Sequence, residues 1–329
     1  MAELFTNYAS QLRCELGLRN RVYARGKPHV ESYGANPVIV YLPEGFRHGN
    51  FFDAAYAAIL SRSDWLRRFD KVHAQARRSL PQAERRWREL DSSMSSDALL
   101  MNIFCTPGVA ASHALTAALG IEPSSAPLFG WRAKVPFGNG RFDRTEVDMR
   151  LGSLLVEAKL TESDFQTCPP LVVEAYRDFN QVFDPQLLPR VEVAVSRPKQ
   201  RTEFPEDYSQ EYEEPSTDPL FVTPEAPPIV ETENFFAAYQ LIRNVLAAHA
   251  QQCSFCVILD QRRPDLLEAW FQVMAAVRSA ELRVRLKALT WQELAALVPA
   301  DLQEFLDAKY GIVAPGRTPS IPGPESPGP

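Results

Sequence analysis

At 329 residues, 45% of them hydrophobic, the chain is long enough for one large domain or two small ones with a sizeable core. The net charge of −6 is set by one tract: residues 202–233 hold ten acidic residues and no Lys or Arg, and without those ten the balance turns to +4, which permits a phosphate-binding surface on the remainder. No run of 18 apolar residues exists to span a membrane, the charged N-terminus lacks the apolar stretch of a signal peptide, and five scattered cysteines exclude a disulfide scaffold and suit a reducing, cytoplasmic compartment.

Residues 4–18 read as a helix with Leu4, Leu12, Leu16 and Leu18 as its apolar positions, followed by a short strand, PVIVYL, at 37–42. A helix is predicted around 52–61, and Trp65 and Phe69 carry an apolar stripe into the next. Arg67, Arg68, Lys71, Arg77, Arg78, Arg85, Arg86 and Arg88 make 65–88 the most basic stretch. It reads either as a solvated helix face or as a surface for a DNA backbone. In ELDSSMSSDALLMNIF (89–104) a serine cluster precedes an apolar run, which marks a helix start. Asp97 falls in the first turn, where a carboxylate suits the helix dipole and reads as a capping residue, and Glu89 and Asp97 are spare carboxylates for a nearby site. Pro107 and Gly108 end that helix, and ASHALTAAL forms another.

After a paired stretch at 142–165, a helix is predicted over 169–183. The Pro-, Glu- and Ser-rich segment 199–232 cannot bury enough to offset its ordering entropy and reads as a mobile insertion. A helix follows over 233–250, with Phe236, Tyr239, Ile242 and Leu246 along one stripe and Gln240, Arg243 and Asn244 as polar neighbours. Next come a buried strand at 253–260, the helix DLLEAWFQVMAAV, a strand within 282–289, a helix behind a threonine cap at Thr290, and a last helix at 301–312. Residues 313–329, rich in Pro and Gly, read as a disordered tail. This order gives a helical N-terminal region over 1–88 and an α/β core over 89–312, with a central mixed β-sheet flanked by helices.

The chemistry concentrates in FDRTEVDMRLGSLLVEAKLTESDF (142–165). Val147, Met149, Leu154, Val156, Ala158 and Leu160 alternate as apolar positions, as in a strand pair with one face in a core. Gly152 supplies the turn. A loop centred on Leu151 and Gly152 would pair Asp148 with Leu155 and put Glu146, Asp148, Glu157 and Lys159 on one face. A slip of one residue would separate them. Carboxylates about 4 Å apart repel by ~1 kcal/mol in water and ~4 kcal/mol at an effective dielectric near 20, so such a face needs a cation once covered. Two carboxylates, a lysine and open positions suit Mg²⁺, which keeps waters and binds phosphate oxygens. The plainer reading of the same residues is an amphipathic hairpin with a wet polar face.

Rival chemistry has little foothold. Cys253-x-x-Cys256, with His249 nearby, lacks a fourth ligand and reads as buried cysteines. No HExxH, GxxxxGK[ST] or GxSxG motif occurs.

With Asp148 on one strand and Glu157-Ala158-Lys159 on the next, the hairpin resembles the core of the PD-(D/E)xK nuclease superfamily, although Val147 stands where that family's proline precedes the aspartate. SSDALLMNIF, EAKLTESDF and YQLIRNVL resemble segments of a bacterial restriction-endonuclease-like branch, over about 49–312 apart from the acidic insertion. The resemblance implies a restriction-endonuclease-like core in which Asp148, Glu157 and the Ala158 carbonyl hold Mg²⁺, or Mn²⁺ in its place. Lys159 would orient the attacking water and stabilise transition-state charge. Gln240 would position water or phosphate from the helix behind, with Glu146 beside the site. The implied activity is endonucleolytic hydrolysis of DNA in restriction or defence, by a homodimer on analogy. The alternative is a protein that keeps the fold without the activity and binds nucleic acid or a protein partner.

Overall fold

The computed structural model describes residues 7–32, 36–72, 87–122, 126–144, 146–197 and 229–320. Its centre is a mixed five-stranded sheet: β1 (Leu128–Arg132), β2 (Glu146–Leu151), β3 (Leu154–Ala158), β4 (Ser254–Leu259) and β5 (Leu286–Thr290). The strands lie side by side in sequence order, with β1 and β5 at the edges. β1, β2 and β3 are antiparallel neighbours, β2 and β3 joined by a tight turn and β1 and β2 by residues 133–145. Long crossovers make β3, β4 and β5 parallel. Every residue of β3 is buried, as expected of a strand covered on both faces.

Seven helices matter for the site: α1 (Tyr8–Tyr23), α2 (Asp53–Leu60), α3 (Ser63–Phe69), α4 (Ser96–Phe104), α5 (Tyr239–Ala250), α6 (Pro264–Ala275) and α7 (Ala300–Tyr310). On one side of the sheet Leu155, Phe255 and Val257 share a core with Leu241 and Val245 of α5 and Trp270 of α6. On the other, Met149, Val156 and Ile258 pack with Leu12 and Leu16 of α1, Ile103 of α4 and Leu306 of α7. A third cluster, holding Phe51, Tyr56, Trp65 and Phe69, joins α2 and α3 to α4. No helix among the described residues is long and apolar enough to cross a membrane. Cys253 and Cys256 are buried and free, and burial raises the Cys256 thiol to about 12.

Several boundaries differ from the sequence reading. The first helix runs to Tyr23 and the strand at 37–42 shrinks to Ile39–Tyr41. The helix expected over 169–183 is two single turns, Pro170–Val173 and Phe179–Val182. The helix expected from 233 begins only at Tyr239. Residues Ile229–Phe236 instead form a strand paired with Arg190–Arg197, and Phe236 exchanges two 3.0 Å backbone hydrogen bonds with Cys168. Ala238 then breaks the chain with a φ of 56°. Residues 229–232 therefore leave the expected insertion; its remainder, 199–228, lies outside the described residues, as do Arg77, Arg78, Arg85 and Arg86. Of the expected tail, 313–320 is described: the Ser320 hydroxyl donates to Asp307 Oδ2 at 2.5 Å, and Arg19 Nη2 donates to the Ser320 carbonyl at 2.9 Å.

The segment after β3 is held by a buried cation. Arg263, at the start of α6, is fully buried and pairs with Asp265 at 2.8 Å. Its Nη1 donates to the Glu162 carbonyl at 2.6 Å and its Nη2 to the Ser163 carbonyl at 3.0 Å. Removing it strands those carbonyls, so Arg263→Ala is expected to cost about 3–5 kcal/mol of stability, read as a fall in the urea midpoint at unchanged slope.

Candidate active site

Gly152 takes a φ of 58° and forms a two-residue loop with Ser153, so Leu151 pairs with Leu154, Arg150 with Leu155 and Met149 with Val156. The expected pairing of Asp148 with Leu155 is thus off by two. Positive φ belongs at the first central position of such a loop, and Gly152 occupies that position rather than the second. A shift of two preserves the parity of the faces and brings Asp148 level with Glu157, one step beyond the last ladder pair. There the Ala158 N–H donates to Asp148 Oδ2 at 2.7 Å.

Glu157 and Lys159 are both buried. Lys159 Nζ donates to Glu157 Oε1 at 2.7 Å, and Asn244 Nδ2, from α5, donates to Glu157 Oε2 at 2.8 Å. The Lys159 backbone is fixed on two sides. Its N–H donates to the Ile258 carbonyl at 2.8 Å, and its carbonyl accepts from Trp291 Nε1 at 2.9 Å. Trp291 is placed by the Thr290–Glu293 capping box, whose threonine cap was legible in the sequence.

Burial, then Glu157 and Asp97, push the Asp148 carboxyl well above its usual range, with Lys159 and the Ala158 N–H acting against them. Burial alone would lower the Lys159 ammonium, but Glu157 and Asp148 outweigh it and hold it above its ordinary value. Lys159 therefore stays charged at neutral pH.

Glu146 does not share this face. Val147 belongs to the core on the α5 side, whereas Met149 and Leu151 belong to the core on the α4 side, so β2 turns over at Asp148. The β1–β2 register skips the same step: Phe129 pairs with Met149 and Trp131 with Val147, while Gly130, with a φ of 59°, and Asp148 stay unpaired. The kink sends the Glu146 carboxylate to Lys71 at 3.2 Å, Arg68 at 3.4 Å and Arg132 at 3.7 Å. Asp97 is not a helix cap either. Ser95 caps α4 by accepting the Ala98 N–H, and Asp97 is a buried carboxylate hydrogen-bonded to the buried Arg68. Glu89 pairs with Lys71 at 3.6 Å.

Gln240 lies one turn before Asn244 on α5, and its buried Oε1 has no hydrogen-bond partner among the described residues. Ala158 is buried at the end of β3. Sequence reasoning assigned Asn244, Arg243 and Arg68 no part in the acid site. Asn244 Oδ1 accepts from Arg243 Nη2 at 3.2 Å, and Arg243 Nη2 also reaches the Glu146 carbonyl at 3.4 Å. The signal for the first two was three polar residues, Gln240, Arg243 and Asn244, on an otherwise apolar helix. Arg68 was hidden in a basic run that read as a solvated face or a DNA-backbone surface, not as part of a buried network.

Among the described residues, no group of three or more His, Cys, Asp or Glu side chains is gathered as a cation cage. The donor set is a carboxylate pair of a buried Glu157 and a partly buried Asp148, the latter without a full countercharge. That set fits a divalent cation that keeps most of its waters.

A family model described as restriction endonuclease associating with ARP matches residues 18–311. No curated protein and no solved structure matches the chain.

Asp148→Asn keeps an acceptor for the Ala158 N–H and removes a partly buried charge set beside Glu157. In chelator at pH 8 it is expected to stabilise the protein by about 1–3 kcal/mol, a rise of several degrees in Tm. The folded-state pKa of Asp148 lies above its unfolded value, so its penalty is absent below about pH 4 and grows as pH rises through the folded pKa. The gap between variant and parent should therefore narrow as the buffer is taken down toward pH 4.

Proposed function

The chain belongs to the family of restriction endonucleases associating with ARP, and from that premise we propose that it is a divalent-metal-dependent endonuclease of the PD-(D/E)xK type, with a restriction-endonuclease-like core, acting on DNA in restriction or defence. The observation that carries the reading is the meeting of Asp148, Glu157 and Lys159 where β2 and β3 part, with Lys159 bonded to Glu157. Asp148, Glu157 and the Ala158 carbonyl would hold Mg²⁺, or Mn²⁺ in its place. The cation supplies Lewis acidity and a water of lowered pKa when bound.

The chain's own residues set the rest. Asn244 fixes the rotamer of Glu157, and Trp291 and the Ile258 carbonyl fix the backbone of Lys159. A charged Lys159 serves as an electrostatic partner for the negative charge that builds on the phosphoryl oxygens, not as a base. The partnerless Gln240 Oε1 is an acceptor for a proton of the attacking water. Cutting both strands calls for two copies of the site, and we take a homodimer as the acting species.

The test is nicking and linearisation of supercoiled plasmid. The parent should cut with Mg²⁺ and not in excess chelator. Asp148→Ala and Lys159→Ala should each lose at least about 100-fold, and Gln240→Ala about tenfold. Equal cutting by parent, Asp148→Ala and Lys159→Ala would remove the assignment. Metal-independent binding without cutting on any substrate would favour the reading as an inactive binding protein.

A further inference from the structure

In the buried run of α5 from Leu241 to Ala248, Arg243 and Asn244 are the only polar residues. Arg243 is 5% exposed and has no carboxylate at ion-pair distance among the described residues. Its guanidinium is held by neutral acceptors. Asn244 Oδ1 accepts from Nη2 at 3.2 Å and from Nε at 3.4 Å, and the Glu146 carbonyl accepts from Nη2 at 3.4 Å. The Tyr239 ring lies 5.8 Å away. A buried cation is costly unless its charge is answered close by. Here an answer lies beyond Asn244, whose Nδ2 donates to Glu157 Oε2 at 2.8 Å.

The two ends of Asn244 leave its amide one orientation. A guanidinium only donates, so the atom facing it is the amide oxygen. An ionised carboxylate only accepts, so the atom facing it is the amide nitrogen. The amide dipole thus aligns between a cation and an anion, and each bond polarises the other. Glu157 is gripped at Oε1 by Lys159 directly and at Oε2 by Arg243 through one amide. Each of its oxygens still has lone-pair capacity for a metal ion. The bond to the Glu146 carbonyl sets the same guanidinium against β2, two residues before Asp148.

We propose that Arg243 is a positioning residue for the acid pair and acts through Asn244: it fixes the amide, and the amide fixes the Oε2 side of Glu157 for holding a cation together with Asp148. The proposal rests on the nuclease reading above and adds to it a residue that touches neither metal nor DNA.

The test has two readouts, one of which needs neither metal nor cleavage. The side-chain amide of Asn244 is followed by NMR in the full chain, carrying isotope-labelled asparagine, in chelator. Its signal is identified by its loss in Asn244→Ala. Arg243→Met, which keeps much of the stem and removes the charge and the donors, should shift or broaden that signal. The second readout is cleavage of a duplex with Mg²⁺. Arg243→Met should lower kcat at least about tenfold and leave KM within about twofold, because the residue does not meet the substrate. In an Asn244→Ala background Arg243→Met should cost no more than about a further twofold, since the two act as one unit. Thermal melts report folding. If Arg243→Met does not fold, Arg243→Gln, which drops the charge and keeps a donor, takes its place with the same expectations. An Asn244 signal left unmoved, or losses that multiply in the double variant, overturn the relay and leave Arg243 as a staple between α5 and β2. A shifted signal in a protein that never cuts upholds the relay to Glu157 and overturns the nuclease reading.

Discussion

A partly buried carboxylate set beside a buried one is the constraint around which this molecule is arranged. Asp148 and Glu157 meet where a hairpin begins to splay, and neither can leave because both strands are pinned in the sheet. The surroundings answer the charge unevenly. Glu157 is fully engaged, with Lys159 on one oxygen and Asn244 on the other. Asp148 receives one backbone N–H, and its carboxyl is pushed upward by burial and by its neighbours. That imbalance marks a site whose electrostatics are incomplete, which is where perturbed titration and function tend to coincide.

The second organising feature is the kink at Gly130 and Asp148. An undisturbed β2 would have carried Glu146, Asp148 and Glu157 along one face, as their spacing suggests. Instead the skipped pair turns β2 over, and the acids are shared between two sets of partners. Glu157 looks to α5, whereas Glu146 joins Asp97 in a network run by Arg68 and Lys71 from the α3 side. One short strand thereby links the buried acid pair to a basic, partly exposed edge. Bulge-like breaks near functional sites commonly re-aim side chains in this way.

Much of this was legible in the sequence, for definite reasons. Period-two alternation fixed the hairpin, and a glycine inside it fixed the turn to within one position. The Thr290 cap announced its helix, and the structure adds Glu293 as the other half of the capping box. What failed was long-range. The register error came from assigning Gly152 to the wrong half of its loop. The helix expected from 233 lost its first four residues to a strand whose partner lies some forty positions earlier, and the next two to the break before Tyr239. Asp97 looked like a capping residue because nothing local connects it to Arg68, 29 residues away. Gln240, Arg243 and Asn244 were visible as odd polar residues, but only the packing of α5 on β3 gives Asn244 its carboxylate.

The docking of α1 against α7 sets the timetable of folding. Arg19 Nη1 donates to the Asp307 carbonyl across 288 residues, and Leu12 and Leu16 share one core with Leu302, Phe305 and Leu306. That same core supports Met149, Val156 and Ala158 beneath the hairpin. During synthesis α1 leaves the ribosome early and waits, because its partner helix follows almost the whole length of the chain later. Contacts of such sequence separation close slowly and late. The floor of the hairpin cannot be completed on a partial chain, so translation itself delays the moment at which the acid pair is assembled.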